Sequence, residues 1–305
     1  MNTIAEAPPA ARSEENPRSW LRRGLEFVKV SRPGFWPTQL WFFLLPLGLR
    51  EMFGSPAFWL GCIYVCFPLS LFMYGWNDLG DVETDSKNPR KDSWIFGARP
   101  DAWMRARLPA VMVLVQLPFV AAFYYFAGPK IFLWFAAMVL TNFLYNAPRY
   151  GWKRIAGLDL LNQTGYLLIF VLASWICDVP QLSWPVMIFS SFFAMHSHLF
   201  GQLMDIDEDK EGGRKSTAVV VGVRPAKFLL AMLLLAEAAI AYRYFQGPFV
   251  ALFVGAGGLF FVGDALFGPR RYPITFTKLF FIGWNIIVFA TMHFVWRYGV
   301  FVRVS

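Results

Sequence analysis

Charge is scarce in this chain. Of its 305 residues only 16% are charged, against 57% hydrophobic. That balance excludes an ordinary soluble globular domain. Cysteine is scarcer still: Cys62, Cys66 and Cys177 all lie inside apolar runs. They offer neither a disulfide framework nor a zinc pattern. Cys62 and Cys66 share a helix face, and packing explains them. The polar stretch 1–15 has no apolar core close behind it, so a secretory signal is not expected. The formal charge of +8 does not call for nucleic acid. Cationic loops beside an anionic leaflet explain it better.

What the chain has in quantity is long apolar runs, with 33 Phe and 13 Trp suited to lipid and interfacial belts. A helix needs ~20 such residues to cross a bilayer. Nine runs qualify, at 34–52, 56–77, 107–127, 130–147, 158–177, 184–205, 226–246, 248–267 and 275–297. Pro and Gly mark the breaks, as at Gly128-Pro129 and Gly247-Pro248, and the short ones imply antiparallel hairpins. The expected fold is all-α, a polytopic membrane protein. Residues 1–30 read as a disordered N-terminus followed by a basic amphipathic helix, Pro17–Val30, on the membrane surface. Residues 31–305 read as one transmembrane domain.

With the N-terminus inside, only Arg50, Lys130, Arg243, Arg297 and Arg303 fall outside. The other 23 of the 28 Lys and Arg lie on the inner side. The positive-inside rule then sets a cytoplasmic N-terminus, and nine spans put the C-terminus outside. A bacterial cytoplasmic membrane is the expected location.

The acids are concentrated rather than spread. Asn77–Asp85 reads Asn-Asp-Leu-Gly-Asp-Val-Glu-Thr-Asp, and Asp205–Asp209 reads Asp-Ile-Asp-Glu-Asp. On a continuous helix Asp78, Asp81 and Asp85 share one face, with Glu83 elsewhere, and Asp205 and Asp209 share another. A single acidic run is ordinarily a solvated loop. Two of them at matching ends of apolar helices suggest a cation site. Carboxylate oxygen without Cys or His suits Mg²⁺, which usually has a phosphate on its other side. Their spacing of four helices hints at an internal four-helix duplication. Both clusters fall on the cytoplasmic side, each followed by cations, among them Lys91 and Lys215.

Asn77–Asp85 matches the NDxxDxxxD motif of the UbiA superfamily of intramembrane prenyltransferases, and Asp205–Asp209 resembles its second, DxxxD-type motif. Tyr145 and Lys153 are similar to the Tyr and Lys of that family's loop between helices 4 and 5. Ser31-Arg32-Pro33 resembles its first-helix start. The likeness covers about residues 30–297. It departs after Asn88-Pro89, where Arg99-Pro100 arrives late. The resemblance implies a nine-helix bundle that transfers a prenyl group from an allylic isoprenyl diphosphate to a lipophilic acceptor, aromatic or isoprenoid. It implies two Mg²⁺ ions, held by Asp78, Asp81 and Asp85 and by Asp205 and Asp209. It further implies diphosphate ligands among Asn77, Arg32, Lys91, Arg149, Lys153 and Lys215, and Tyr145 as the ring facing the allylic cation.

Other residues fit less directly. His196 and His198, two apart, do not share a helix face, and one of them could meet the acceptor. Asp264 lies near enough to pair with Arg270 or Arg271. Glu237 is deep in an apolar run with no evident partner. Two alternatives remain at this level: a related membrane terpene cyclase without an external acceptor, and a cation-coupled transporter. A transporter keeps its acids near the midplane, whereas these lie at helix ends. A CDP-alcohol phosphotransferase would carry DGxxAR between its acids, and that stretch is absent.

Overall fold

The computed structural model describes residues 17–304. The expected disordered stretch 1–15 lies outside them. The described residues are all helix and loop, with two isolated bridges, Ser93 to Gly97 and Phe245 to Val304, in place of a sheet.

Six helices are long and apolar enough to cross a membrane: Pro56–Gly80, Ala102–Ala127, Leu158–Ile176, Val223–Tyr244, Phe249–Phe267 and Ile274–Arg297. The other three expected runs are helical as well. Lys130–Asn146 has 17 residues, Trp184–Met204 has 21, and Trp36–Leu44 continues as a 3-10 turn through Leu47. Val113, Leu114, Leu117, Leu133, Leu252 and Phe260 are exposed. So much apolar surface is at home against lipid and not against water. The chain is an integral membrane protein.

Local chemistry sets the helix ends. The Ala102–Ala127 helix begins earlier than its apolar run because Asp101 accepts a hydrogen bond from the Met104 N–H (2.8 Å). Pro68 breaks the backbone ladder inside Pro56–Gly80. Side chains bond carbonyls around the break: Ser70 Oγ donates to that of Val65 (2.9 Å), and Gln116 Nε2 donates to that of Pro68 (2.9 Å). Tyr64 in turn donates to Gln116 Oε1 (2.7 Å). Where Val223–Tyr244 packs against Phe249–Phe267, a Cβ on Gly258 would stand 2.9 Å from Leu235 side-chain carbons, so only glycine allows that approach.

One apolar core gathers Phe42, Phe43, Tyr64, Phe123, Trp134 and Phe170. A second, around Leu199, Leu203, Leu230 and Leu234, packs the later helices. The helix over Pro17–Val30 leaves Trp20, Leu21 and Leu25 exposed. It is pinned by Arg23, whose guanidinium lies 4.2 Å from the Trp103 ring centre.

Candidate active site

The two acidic motifs end their helices in the same way. The Pro56–Gly80 helix stops at Asp81, which is non-helical (φ −113°, ψ 19°), and a six-residue helix, Val82–Lys87, follows. Trp184–Met204 stops at Asp205 (φ −109°, ψ 9°), and Ile206–Glu211 follows. The expectation of one continuous helical face across Asp78, Asp81 and Asp85 is therefore corrected, because the backbone turns at the middle acid.

That turn separates the carboxylates. Asp78 is wholly buried, with Oδ1 held 2.7 Å from both Arg32 Nη2 and Lys91 Nζ. Lys91 Nζ also lies 2.7 Å from Asp85 Oδ2. Asp81 faces the other way, with Oδ1 2.7 Å from Lys153 Nζ and Oδ2 2.6 Å from Arg214 Nη2. The second guanidinium nitrogen of Arg214 reaches Asp209 Oδ1 at 3.1 Å. Asp205 pairs with Arg90 and accepts from Asn88 Nδ2 (2.9 Å). The loop after each motif thus supplies a cation to the other motif.

Asn77, Asp81, Asp85, Asp205, Asp209, Arg32, Lys91, Tyr145 and Lys153 all line one cavity of about 530 Å³. Asp78 lies behind this wall. Arg149 and Lys215, expected as diphosphate ligands, are exposed at the surface and do not line it. Their immediate surroundings supply the cation instead: Arg214 points inward where Lys215 points out. Arg90 also lines the cavity. Arg99 braces the loop from behind by donating to the Asn88 carbonyl (2.6 Å). Sequence reasoning passed over Arg214, Tyr74 and Tyr166. Tyr74 lies four residues before Asp78, so helical spacing was a usable signal for it. No comparable signal distinguished Arg214 from Lys215.

Burial and charge oppose each other here. Burial would raise the Asp81 carboxyl, but Arg214 and Lys153 outweigh it and hold it at about 2. For Asp85 and Asp209 burial prevails and pushes both up, although Lys91 and Arg214 oppose it. Burial likewise lowers Lys153, with Asp81 acting against it. Arg32 adopts a left-handed backbone (φ 54°) that is strained for a non-glycine residue. That conformation accompanies a guanidinium shared between Asp78 and the Tyr74 ring, 4.5 Å away. A Cβ on Gly80 would stand 3.0 Å from Lys153 Nζ, so the glycine clears the path of the lysine to Asp81.

Among the described residues no three acids converge closely enough to hold an ion as they stand. The donor set still fits a hard cation. It is all oxygen and lines one cavity from both motifs. Each motif carboxylate is now met by Lys or Arg, so an ion would take over charge neutralisation that side chains now provide.

Below the acids the wall turns aromatic. Tyr145 donates to or accepts from His198 Nε2 (3.2 Å), and the Tyr74 and Tyr166 hydroxyls lie 3.4 Å apart. Phe42, Phe193, Phe281 and Trp284 continue the lining. Asp159 lies outside this lining. It is fully buried and accepts from Gln202 Nε2 (2.7 Å), the Thr217 N–H (2.6 Å) and the Leu160 N–H (2.9 Å). Asp264, expected to meet Arg270 or Arg271, instead pairs with Lys227 (2.8 Å) and Tyr272. The two arginines turn to Asp207 and Glu208.

The UbiA prenyltransferase family model matches residues 36–292. The chain belongs to the UbiA prenyltransferase family. As a member of it, the protein is a prenyltransferase. Among its relatives is the lycopene elongase/hydratase of Corynebacterium glutamicum, 28% identical over 242 residues, covering 77% of this chain and 82% of the relative. That of Halobacterium salinarum is 30% identical and covers 69% and 76%. The fold matches a UbiA homolog from Archaeoglobus fulgidus bound to DMAPP and Mg²⁺, with a TM-score of 0.61 at 17% identity, over 88% of this chain and 98% of that one.

Proposed function

We propose that this UbiA prenyltransferase transfers a prenyl group from a short allylic isoprenyl diphosphate to a terminal double bond of an acyclic carotenoid such as lycopene. The observation that carries the reading is a single cavity. Oxygen donors and cations crowd one end, and aromatic and aliphatic side chains line the rest. The names of the two curated relatives support the polyene acceptor, and the Archaeoglobus neighbour's bound ligands support the donor and Mg²⁺.

In this reading Asn77, Asp81, Asp85, Asp205 and Asp209 would hold two Mg²⁺ ions, while Asp78, expected among the ligands, stays with Arg32 and Lys91 outside the cavity lining. Bound Mg²⁺ supplies positive charge to the departing diphosphate. Lys153, Arg214, Lys91, Arg90 and Arg32 take phosphate oxygens as the C–O bond breaks and the electron pair leaves with the diphosphate. Tyr145, Tyr74 and Tyr166 turn ring faces toward the allylic cation. The apolar walls keep water from it. The membrane lipid surrounding the bundle delivers the acceptor. The N-terminus and the site face the cytoplasm and the C-terminus lies opposite, as the charge bias supports.

The test uses purified protein in lipid vesicles with a panel of allylic diphosphates, lycopene or a quinone-ring precursor, and Mg²⁺ or EDTA. Mg²⁺-dependent prenylation of lycopene is the expected result. Diphosphate release without any acceptor would favour a cyclase, and prenylation of the quinone precursor alone would overturn the polyene reading.

A further inference from the structure

Glu237 is an acid inside an apolar helix. It sits in the middle of Val223–Tyr244 and is completely buried. An acid there is costly unless it is paired and in use. Its partner is His196, whose Nδ1 lies 2.5 Å from Glu237 Oε1. His196 lines the cavity and Glu237 does not. Where Glu237 is ionised its carboxylate only accepts hydrogen bonds, which places the proton on Nδ1 and leaves the Nε2 lone pair free. Among the described residues Nε2 has no hydrogen-bond partner. His198, by contrast, has its Nε2 on the Tyr145 hydroxyl.

Position separates the two histidines further. His196 precedes Asp205 by nine residues, about 13 Å along the helix. Its ring packs edge-on against Phe193, with centres 5.1 Å apart, and Phe193 packs against Trp284. It therefore belongs to the aromatic part of the cavity, beyond the acids and cations that would hold diphosphate.

We infer that His196, oriented by Glu237, is the base that discharges the carbocation left on the acceptor after prenyl transfer. The inference rests on the prenyl-transfer reading above. The acceptor's π pair forms the new C–C bond to the prenyl C1, and the positive charge moves to the acceptor's substituted carbon. Nε2 then takes one proton. The proton comes from the adjoining C–H, whose electrons close a new C=C, or from a water whose oxygen bonds to the cationic carbon. Either way the product is neutral, and the imidazolium is balanced by Glu237 until it returns its proton to water. His196 is the catalytic residue of the pair and Glu237 the positioning residue.

The test compares wild type with His196→Gln, Glu237→Gln and the double variant, using dimethylallyl diphosphate, lycopene and Mg²⁺ in vesicles made with H₂¹⁸O. The double variant keeps a neutral hydrogen bond between the two helices but has no base. The expected result is a fall in kcat of about a hundredfold in all three, with the donor KM within about twofold. ¹⁸O in the wild-type product identifies water as the proton source, and its absence identifies the C–H. Wild-type turnover in the double variant would mean a merely structural pair and would overturn the inference. Should that variant fail to fold, ¹⁵N NMR of histidine-labelled wild type decides: a ring protonated at Nε2 and not at Nδ1 overturns it. Wild type that prenylates no polyene would instead overturn the reading on which the inference rests.

Discussion

Arg214 follows the second acidic motif, yet it lies 2.6 Å from Asp81 of the first while also touching Asp209 at 3.1 Å. Arg90 follows the first motif and pairs with Asp205 of the second. The two ends of the site are held to one another by exchanged arginines.

Arg214→Ala should lower turnover by a factor of about ten to a hundred, the usual cost of a charge-assisted hydrogen bond. Lys215→Ala should stay within about twofold, since that side chain is exposed. Steady-state kinetics on diphosphate release compares the two. Equal losses would return the role to Lys215.

Asp78 and Asp205 should fail differently. Asp78 is buried against Arg32 and Lys91, so Asp78→Ala leaves the Arg32 guanidinium without its counter-charge and Lys91 with Asp85 alone. A stability loss of about 3–5 kcal/mol is expected with the loss of activity. Asp205 is itself partly exposed but balances the largely buried Arg90, so Asp205→Ala should remove activity with a smaller stability loss than Asp78→Ala. Thermal unfolding in detergent, with and without Mg²⁺, separates them.

Asp81 sets a pH dependence. Its carboxyl is held at about 2 in the fold, below its usual 3.8. A depressed folded-state value adds stability that is complete above the unfolded-state pKa and lost as pH falls through the folded one. Metal-free protein should therefore lose about 2 kcal/mol between pH 4 and 2 through this group. Asp81→Asn should lack that component in melts across the range.

The apolar runs and their Pro and Gly breaks were enough to locate helices throughout residues 17–297. The two acidic stretches were enough to point to the polar end of the cavity. What local sequence could not carry was direction. Asp78 and Asp81 differ in role because the backbone turns at Asp81, and Gly80 just before it is the one local mark of the turn. Arg214 and Lys215 are adjacent cations in a polar loop, and only the position of Asp81, from the other half of the chain, selects between them. Glu237 gained its explanation only when His196 was brought beside it by packing of two distant helices.

Tyr145 offers a finer test. Tyr145→Phe removes only the hydroxyl on His198 and should retain most turnover. Tyr145→Leu removes the ring face and should lower kcat at least about tenfold, if a cation–π contact steadies the transition state. A product assay at saturating donor is sufficient.

The exchanged arginines bear on how such a site comes into being. A chain halted during synthesis before residue 214 has Asp81 without one of its two cations and, before residue 205, Arg90 without its acid. Neither half can balance its own charges. The ionising end of the cavity therefore closes only once the later helices have been inserted and docked, and an unfinished chain does not hold a complete diphosphate cradle.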